Sequence, residues 1–207
     1  MKEAKRIFHD VVQGSDQWHD LRKGRATASN FGTIYANFGK AFGNPALQYA
    51  QKKALERVTG ELEQNGFTNS HMERGIELEP IACELYQEET FNTVTNGGFM
   101  EFGNVGDSND GNVGEHGCIE IKCVIANTHW NRIIKDDFDS AYKMQIQGHL
   151  LVGQKDWCDF ISYCPEFPKD KQLFVKRVFP DVELQKNLIE RLAEFELKVQ
   201  EFVKLIS

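Results

Sequence analysis

No stretch of the 207 residues is long and apolar enough to cross a bilayer. The start, Met1-Lys2-Glu3-Ala4-Lys5-Arg6, lacks the apolar core of a signal peptide, so no membrane association is expected. There is no Cys-x-x-Cys, and the cysteines (Cys83, Cys118, Cys123, Cys158 and Cys164) are odd in number. That argues against a disulfide framework and for a reduced, cytoplasmic setting. An excess of positive charge is missing too: 24 Lys and Arg face 31 Asp and Glu, for a net charge of −7. This argues against a coat-like nucleic-acid binder, but not against an enzyme that meets DNA in a local basic groove. Internal repeats and low-complexity tracts are also lacking. What is left is a chain with the composition of one soluble domain, 1–207, long enough to bury a core without staples.

One stretch carries the chemistry. Asp110-Gly111-Asn112-Val113-Gly114-Glu115-His116-Gly117-Cys118-Ile119-Glu120-Ile121-Lys122 sets a turn with one aspartate ahead of a short apolar run. Residues 118–125 have the length and β-branched content of a buried strand. Side chains alternate along a strand, so Glu120 and Lys122 share one face and Ile119, Ile121 and Cys123 the other. A carboxylate and an ammonium in an apolar strand are costly without partners. If the turn folds back, Asp110 joins Glu120. Two carboxylates then suit a hard divalent cation beside a lysine, the outline of a metal-dependent phosphodiesterase. The plain alternative is a Glu–Lys pair on the solvent face of an edge strand. Zinc at His116, Cys118 and Cys123 is disfavoured, because alternation puts the two thiols on opposite faces.

Upstream, Ser15 caps a predicted helix over 16–22 that carries Trp18, Leu21 and Arg22 on one side. Thr27-Ala28-Ser29-Asn30 offers a second cap to a helix running through Tyr35. Arg22 then precedes a helix start rich in hydroxyls and amides, a combination that suits phosphate. Otherwise it is a surface arginine beside an ordinary cap. A helix is expected over 46–58. The capping-box pattern Ser70-His71-Met72-Glu73 opens another that reaches Thr90, kinked at Pro80 or starting near Glu79. Glu79 follows the face of Ile76, Cys83 and Tyr86, either as a satisfied core acid or as a site residue. Asn96-Gly97-Gly98 is expected to turn a hairpin between 92–95 and 99–102. Residues 127–139 read as a polar connection with Trp130, Arg132 and Lys135. A helix over 140–152 carries Gln145, either solvated or hydrogen-bonding at a site. Strands over 156–164 and 172–179 are expected to pair. The last helix, from Pro180-Asp181, bears the packing stripe Leu188, Leu192, Phe195, Val199, Phe202 and Ile206.

Several of these pieces line up in one order. Gly14-x-x-x-Trp18-His19-x-x-Arg22-x-Gly24-x-x-Thr27-Ala28-Ser29 is followed by Gly75-x-x-x-Glu79, Asp110-Gly111, Glu120-Ile121-Lys122 and Ala141-Tyr142-x-x-Gln145-x-Gln147. The set resembles the phage lambda exonuclease type of viral recombination nuclease, the YqaJ family. That family belongs to the restriction-endonuclease-like, PD-(D/E)xK superfamily. The resemblance spans about Gly14 to Tyr163. It implies an α/β fold, with a small mixed β-sheet flanked by α-helices. It further implies a Mg²⁺-dependent 5′→3′ exonuclease (Mn²⁺ as substitute) that leaves 3′ single strands on duplex DNA. The metal would fall to Asp110, Glu120, the Ile121 carbonyl and Glu79. Lys122 would be the catalytic lysine, with Gln145 from the motif after the catalytic strand. Arg22, Thr27 and Ser29 would hold the 5′-phosphate. The expected partners are duplex DNA with a 5′-phosphate end, a single-strand annealing protein, and two further copies in a homotrimer ring. The expected setting is a bacterial cytoplasm, with phage or prophage origin. A sequence-specific endonuclease of the same fold and a non-catalytic DNA-end-binding protein are the alternatives. Two departures stand out. The family's Ser-Pro-Asp-Gly turn is Ser108-Asn109-Asp110-Gly111 here, with Asp107 nearby as a competing ligand. Arg25 replaces a usually apolar residue and would add a DNA contact.

Overall fold

The computed structural model of the protein describes residues 4–62 and 70–207. The chain begins with β1 (Arg6–His9), α1 (Asp16–Arg22), β2 (Ala26–Thr27), a 3-10 turn over Ala28–Asn30 and α2 (Phe31–Tyr35). Then come α3 (Asn44–Thr59), α4 (Ser70–Thr90), β3 (Val94–Thr95), β4 (Phe99–Phe102), β5 (Val105–Asp107) and β6 (Gly111–Val113). The rest is β7 (Gly117–Cys123), α5 (Ala126–Lys135), a 3-10 turn over Ser140–Tyr142, α6 (Lys143–Val152), β8 (Trp157–Tyr163), β9 (Leu173–Val178) and α7 (Val182–Ile206). The expected mixed sheet is five-stranded, in the order β3-β6-β7-β8-β9, with β7 and β8 parallel and the other pairs antiparallel. A second sheet, which sequence reading did not anticipate, runs β1-β4-β5-β2.

The second sheet overturns the expected hairpin. β3 pairs with β6 in one sheet, while β4 pairs with β1 and β5 in the other. Asn96-Gly97-Gly98 still turns the chain, but from sheet to sheet. The Asn96 carboxamide oxygen accepts from Gly98 N–H, and its amide donates to Asp10 and to the Val11 carbonyl. A Cβ on Gly97 would lie 2.0 Å from the Asn109 carbonyl oxygen, so only glycine lets the backbones pass this closely.

β7 lies between β6 and β8, with one face on α4 and the other on α6. Ile119 and Ile121 pack with Ala82 and Tyr86 of α4, and Cys118 packs with Ile146 and Leu150 of α6. α4 runs unbroken from Ser70 to Thr90 with Pro80 inside. The capping contacts expected of Ser70-His71-Met72 lie outside the described side chains. Ile76 is not a core residue, being 70% exposed. α4 is fastened to the sheet by a polar clasp: Tyr86 donates to Asp159 at 2.7 Å, and Arg177 donates to the same carboxylate twice at 2.8 Å.

Residues 126–135 are a helix, not a polar connection. Its inward residues are His129 and Arg132, both buried and both hydrogen-bonded to Ser162 Oγ, while Trp130 and Ile134 face out. A reading that assigns polar residues to the surface misses such a helix. The caps at Ser15 and Asp181 form as expected, accepting from Trp18 N–H and Leu184 N–H. Leu188, Leu192, Phe195 and Val199 of α7 are buried against Phe31, Ile34, Ala50 and Ala54, while Ile206 is exposed. Phe195 also stacks on Tyr49 and meets Phe42 edge-on. Phe195→Ala should therefore cost about 3–5 kcal/mol. In urea titrations this would show as a lower unfolding midpoint at unchanged slope.

Candidate active site

The turn does fold back. Asp110 N–H donates to the Ile119 carbonyl, and Asp110 Oδ2 accepts from Ile121 N–H at 2.6 Å. The missing proline is replaced by a hydrogen bond: Asn109 Oδ1 accepts from Gly111 N–H at 3.0 Å. Ile121 lies two residues beyond Ile119 and so faces the same side, where β6 begins only at Gly111. Its carbonyl therefore points to the open edge beside Asp110. On the α6 side, Glu120 is fully buried and ion-paired with half-buried Lys122. Gln145 donates to Glu120 Oε1 at 2.6 Å. Glu79 is half-buried on α4, within electrostatic reach of both Glu120 and Lys122. The structure thus brings Asp110, Glu120, Lys122, Glu79, Gln145 and the Ile121 backbone together.

Their charges are strongly coupled. Burial pushes the Asp110 carboxyl well above its usual range, and the Glu120 charge pushes it further. Burial acts on Glu120 too, but Lys122 and His149 outweigh it and hold the carboxyl down at about 2. Burial opposes the Lys122 ammonium, yet Glu120 and Asp110 together keep it above the ordinary lysine range. Burial raises Glu79 as well. The neighbouring carboxylates thus favour the charged form of Lys122.

Sequence reading missed His149; it preferred Asp110 to Asp107 as the site aspartate. His149 is fully buried, with Nε2 2.8 Å from Glu120 Oε2 and Nδ1 2.6 Å from Asp107 Oδ1. Burial alone would lower its pKa, but the two carboxylates raise it well above the usual value. Asp107 is thus engaged by His149, and Asp110 is the aspartate at the Ile121 edge. The available signal was a lone histidine in the run Ile146-Gln147-Gly148-His149-Leu150-Leu151, buried on nearly every side.

Arg22 forms a second centre. Its guanidinium lies 4.0 Å over Trp18, and Nη2 donates to Thr27 Oγ1 at 3.4 Å. Thr27 Oγ1 is 3.2 Å from Ser29 Oγ, so the three expected residues do meet. The expected helix start does not form there. Ala28–Asn30 is a 3-10 turn without a side-chain cap, and α2 has only five residues. The walls come instead from α3, which was expected as a helix but not as part of this site. Tyr49 Oη accepts from Thr27 N–H at 3.2 Å, and buried Lys53 donates to Glu56 at 2.7 Å. Burial lowers the Arg22 pKa, opposed by Tyr49, Asp107 and Glu56. Arg25 pairs with Glu101 at 2.7 Å and donates to the Leu21 and Gly103 carbonyls.

The donor set suits a hard cation. Asp110 and Glu120 offer carboxylate oxygens and Ile121 offers a carbonyl, with Glu79 close by. Among the described residues no group of three or more His, Cys, Asp or Glu side chains is gathered to enclose an ion.

Comparison with known proteins defines the class. An alkaline exonuclease (LHK-Exo) from Laribacter hongkongensis superposes with a TM-score of 0.83 at 30% identity, over 93% of this chain and 96% of that chain. The structure of LHK-Exo in complex with dAMP matches at 0.84, with the same identity and coverage. A phage-related exonuclease from Haemophilus somnus 129PT shares the fold at a TM-score of 0.74 and 15% identity, over 91% of this chain and 99% of that chain. No curated protein sequence matches. The fold is that of an exonuclease, and the chain is a nuclease of this group. The YqaJ-like viral recombinase domain matches residues 17–156, and the chain belongs to that family.

Burying Asp110 as an anion beside Glu120 costs stability. Its folded pKa lies above the unfolded value of about 3.9. The cost therefore grows as pH rises through the unfolded pKa toward the folded one. In chelator at neutral pH, Asp110→Asn should melt at a higher temperature than the wild type, and the gap should close as pH falls toward 4. Added Mg²⁺ should raise the wild-type melting temperature and leave the variant unmoved. Thermal scans in chelator and in Mg²⁺ check both signs.

Proposed function

We propose that this nuclease is a Mg²⁺-dependent 5′→3′ exonuclease. It digests one strand of linear duplex DNA and leaves 3′ single-stranded overhangs for a single-strand annealing protein. The observation that carries this reading is the adjacency of two polar centres. Asp107 acts electrostatically on Arg22 and is joined through His149 to Glu120. A strand whose terminal phosphate rests on Arg22, Thr27 and Ser29 meets the carboxylates end first. The mononucleotide bound in the LHK-Exo structure supports the same reading.

In this reading Asp110, Glu120, the Ile121 carbonyl and Glu79 hold the cation, with Mn²⁺ as a substitute. The chemistry such an ion supplies is Lewis-acid stabilisation of charge and activation of water. Lys122 adds a positive charge where negative charge develops on the phosphate. Gln145 steadies Glu120 Oε1. Arg22, stacked on Trp18, forks onto the 5′-phosphate. A homotrimer ring round the duplex fits an acidic chain, because a closed ring retains DNA without net positive charge. The setting proposed is the bacterial cytoplasm, with the gene carried by a phage or prophage.

Linear and covalently closed circular duplexes, incubated with Mg²⁺ and with chelator, test the reaction. Only the linear form with Mg²⁺ should be consumed, releasing mononucleotides from the 5′ end. Cleavage of the circle would instead mark an endonuclease, and no cleavage of either would mark an end-binding protein. The end pocket has its own test. A charge-assisted contact is worth roughly 1.5–3 kcal/mol, so Arg22→Ala should slow digestion of 5′-phosphate ends about 10- to 150-fold. It should affect 5′-hydroxyl ends much less. Equal slowing of both substrates would make Arg22 a general backbone contact.

A further inference from the structure

We propose that His149, braced by Asp107, is a positioning residue that makes Glu120 a one-oxygen ligand and so sets the preference of the site for Mg²⁺ over Ca²⁺. The inference rests on the reading that Asp110 and Glu120 hold a divalent cation. The two oxygens of Glu120 have different company. Oε2 faces inward to His149 Nε2 at 2.8 Å, while Oε1 faces Gln145 Nε2 at 2.6 Å and the half-buried Lys122 ammonium. Gln145 and His149 are four residues apart on α6, hence on one face of one helix. That helix grips both oxygens at once. The terminal torsion of a glutamate is otherwise soft, and this grip removes its freedom.

His149 is itself held. Its other nitrogen lies 2.6 Å from Asp107 Oδ1 on β5, and all three side chains are almost fully buried. The ring can neither flip nor withdraw without leaving a buried carboxylate bare. Glu120 therefore turns Oε1 toward Lys122 and Gln145 and keeps Oε2 on His149. Mg²⁺ demands near-octahedral geometry and keeps its waters, which a single fixed oxygen permits. Ca²⁺ accepts more ligands and readily takes a carboxylate through both oxygens. Releasing Oε2 should therefore harm Mg²⁺ more than Ca²⁺. Partners that orient metal ligands typically govern affinity by about 10- to 100-fold.

The test is calorimetric titration of the folded, DNA-free protein with Mg²⁺ and with Ca²⁺, with melting scans to confirm folding. His149→Ala should bind Mg²⁺ about 10- to 100-fold more weakly and Ca²⁺ with a smaller loss, so that the Mg²⁺/Ca²⁺ affinity ratio falls. His149→Gln carries its amide where Nε2 stood and should retain most of the ratio. His149→Asn reaches only toward Asp107 and should lose it. This last pair carries the test if the alanine variant does not fold. Equal ratios in the Gln and Asn variants, or an unchanged ratio in a folded His149→Ala, overturn the proposal. A different pattern marks failure of the underlying reading: Glu120→Ala would then bind Mg²⁺ as the wild type does.

Discussion

The structure is organised around one burial that electrostatics resists. Glu120 has no exposure to solvent, yet Lys122 and His149 keep it ionised, with a pKa of about 2. A lone carboxylate in that position would take up a proton or drive the strand outward. Each counter-charge makes its own demand on the fold. Lys122 has to share the face of Glu120, which fixes the phase of β7. His149 has to come from a helix packed flat on that face, and Asp107 has to come from a strand of the other sheet to brace it. The sheets, the helix and the turn at Asp110 are arranged to satisfy one acidic group.

The parts of this arrangement that depend on period were legible in the chain. Alternation alone put Glu120 with Lys122 and opposite Ile119 and Ile121. Helical spacing marked the α7 stripe that is buried at Leu188, Leu192, Phe195 and Val199. The signals that failed were those where the partner is distant. Asn96-Gly97-Gly98 is a genuine turn, but the strands it joins find mates in separate sheets. His129 and Arg132 point inward because Ser162 awaits them on β8, and hydropathy registers them only as polar. The same blindness hid His149, Tyr49 and Lys53. Each is recognisable only once another element has been laid against it.

The acidity of the chain also takes on a different meaning at this scale. Local charge is apportioned, not spread. The Arg22 pocket gathers a second buried cation in Lys53 and answers it with Glu56, whose carboxylate also takes Gly24 N–H. Trp18, the base of that pocket, donates from its indole to Ser108 Oγ, next in sequence to Asp107. The segment Asp107–Asp110 therefore borders both centres, touching the arginine platform at one end and β7 at the other. Net charge gives no hint of this, because it is a property of the whole surface.

The crossover at Asn96–Gly98 bears on how the chain folds. It is short and passes so close to Asn109 that the two sheets are held together there. Contacts that close the molecule are also far apart along the chain: Arg6 bonds the carbonyls of Leu151 and Val152, and buried Arg191 bonds that of Ile34. Loop-closure entropy must be met before such contacts give anything back. The turn that carries Asp110 leans on both sheets: Asn109 lies against Gly97 of the crossover, and Asp110 N–H reaches the Ile119 carbonyl of β7.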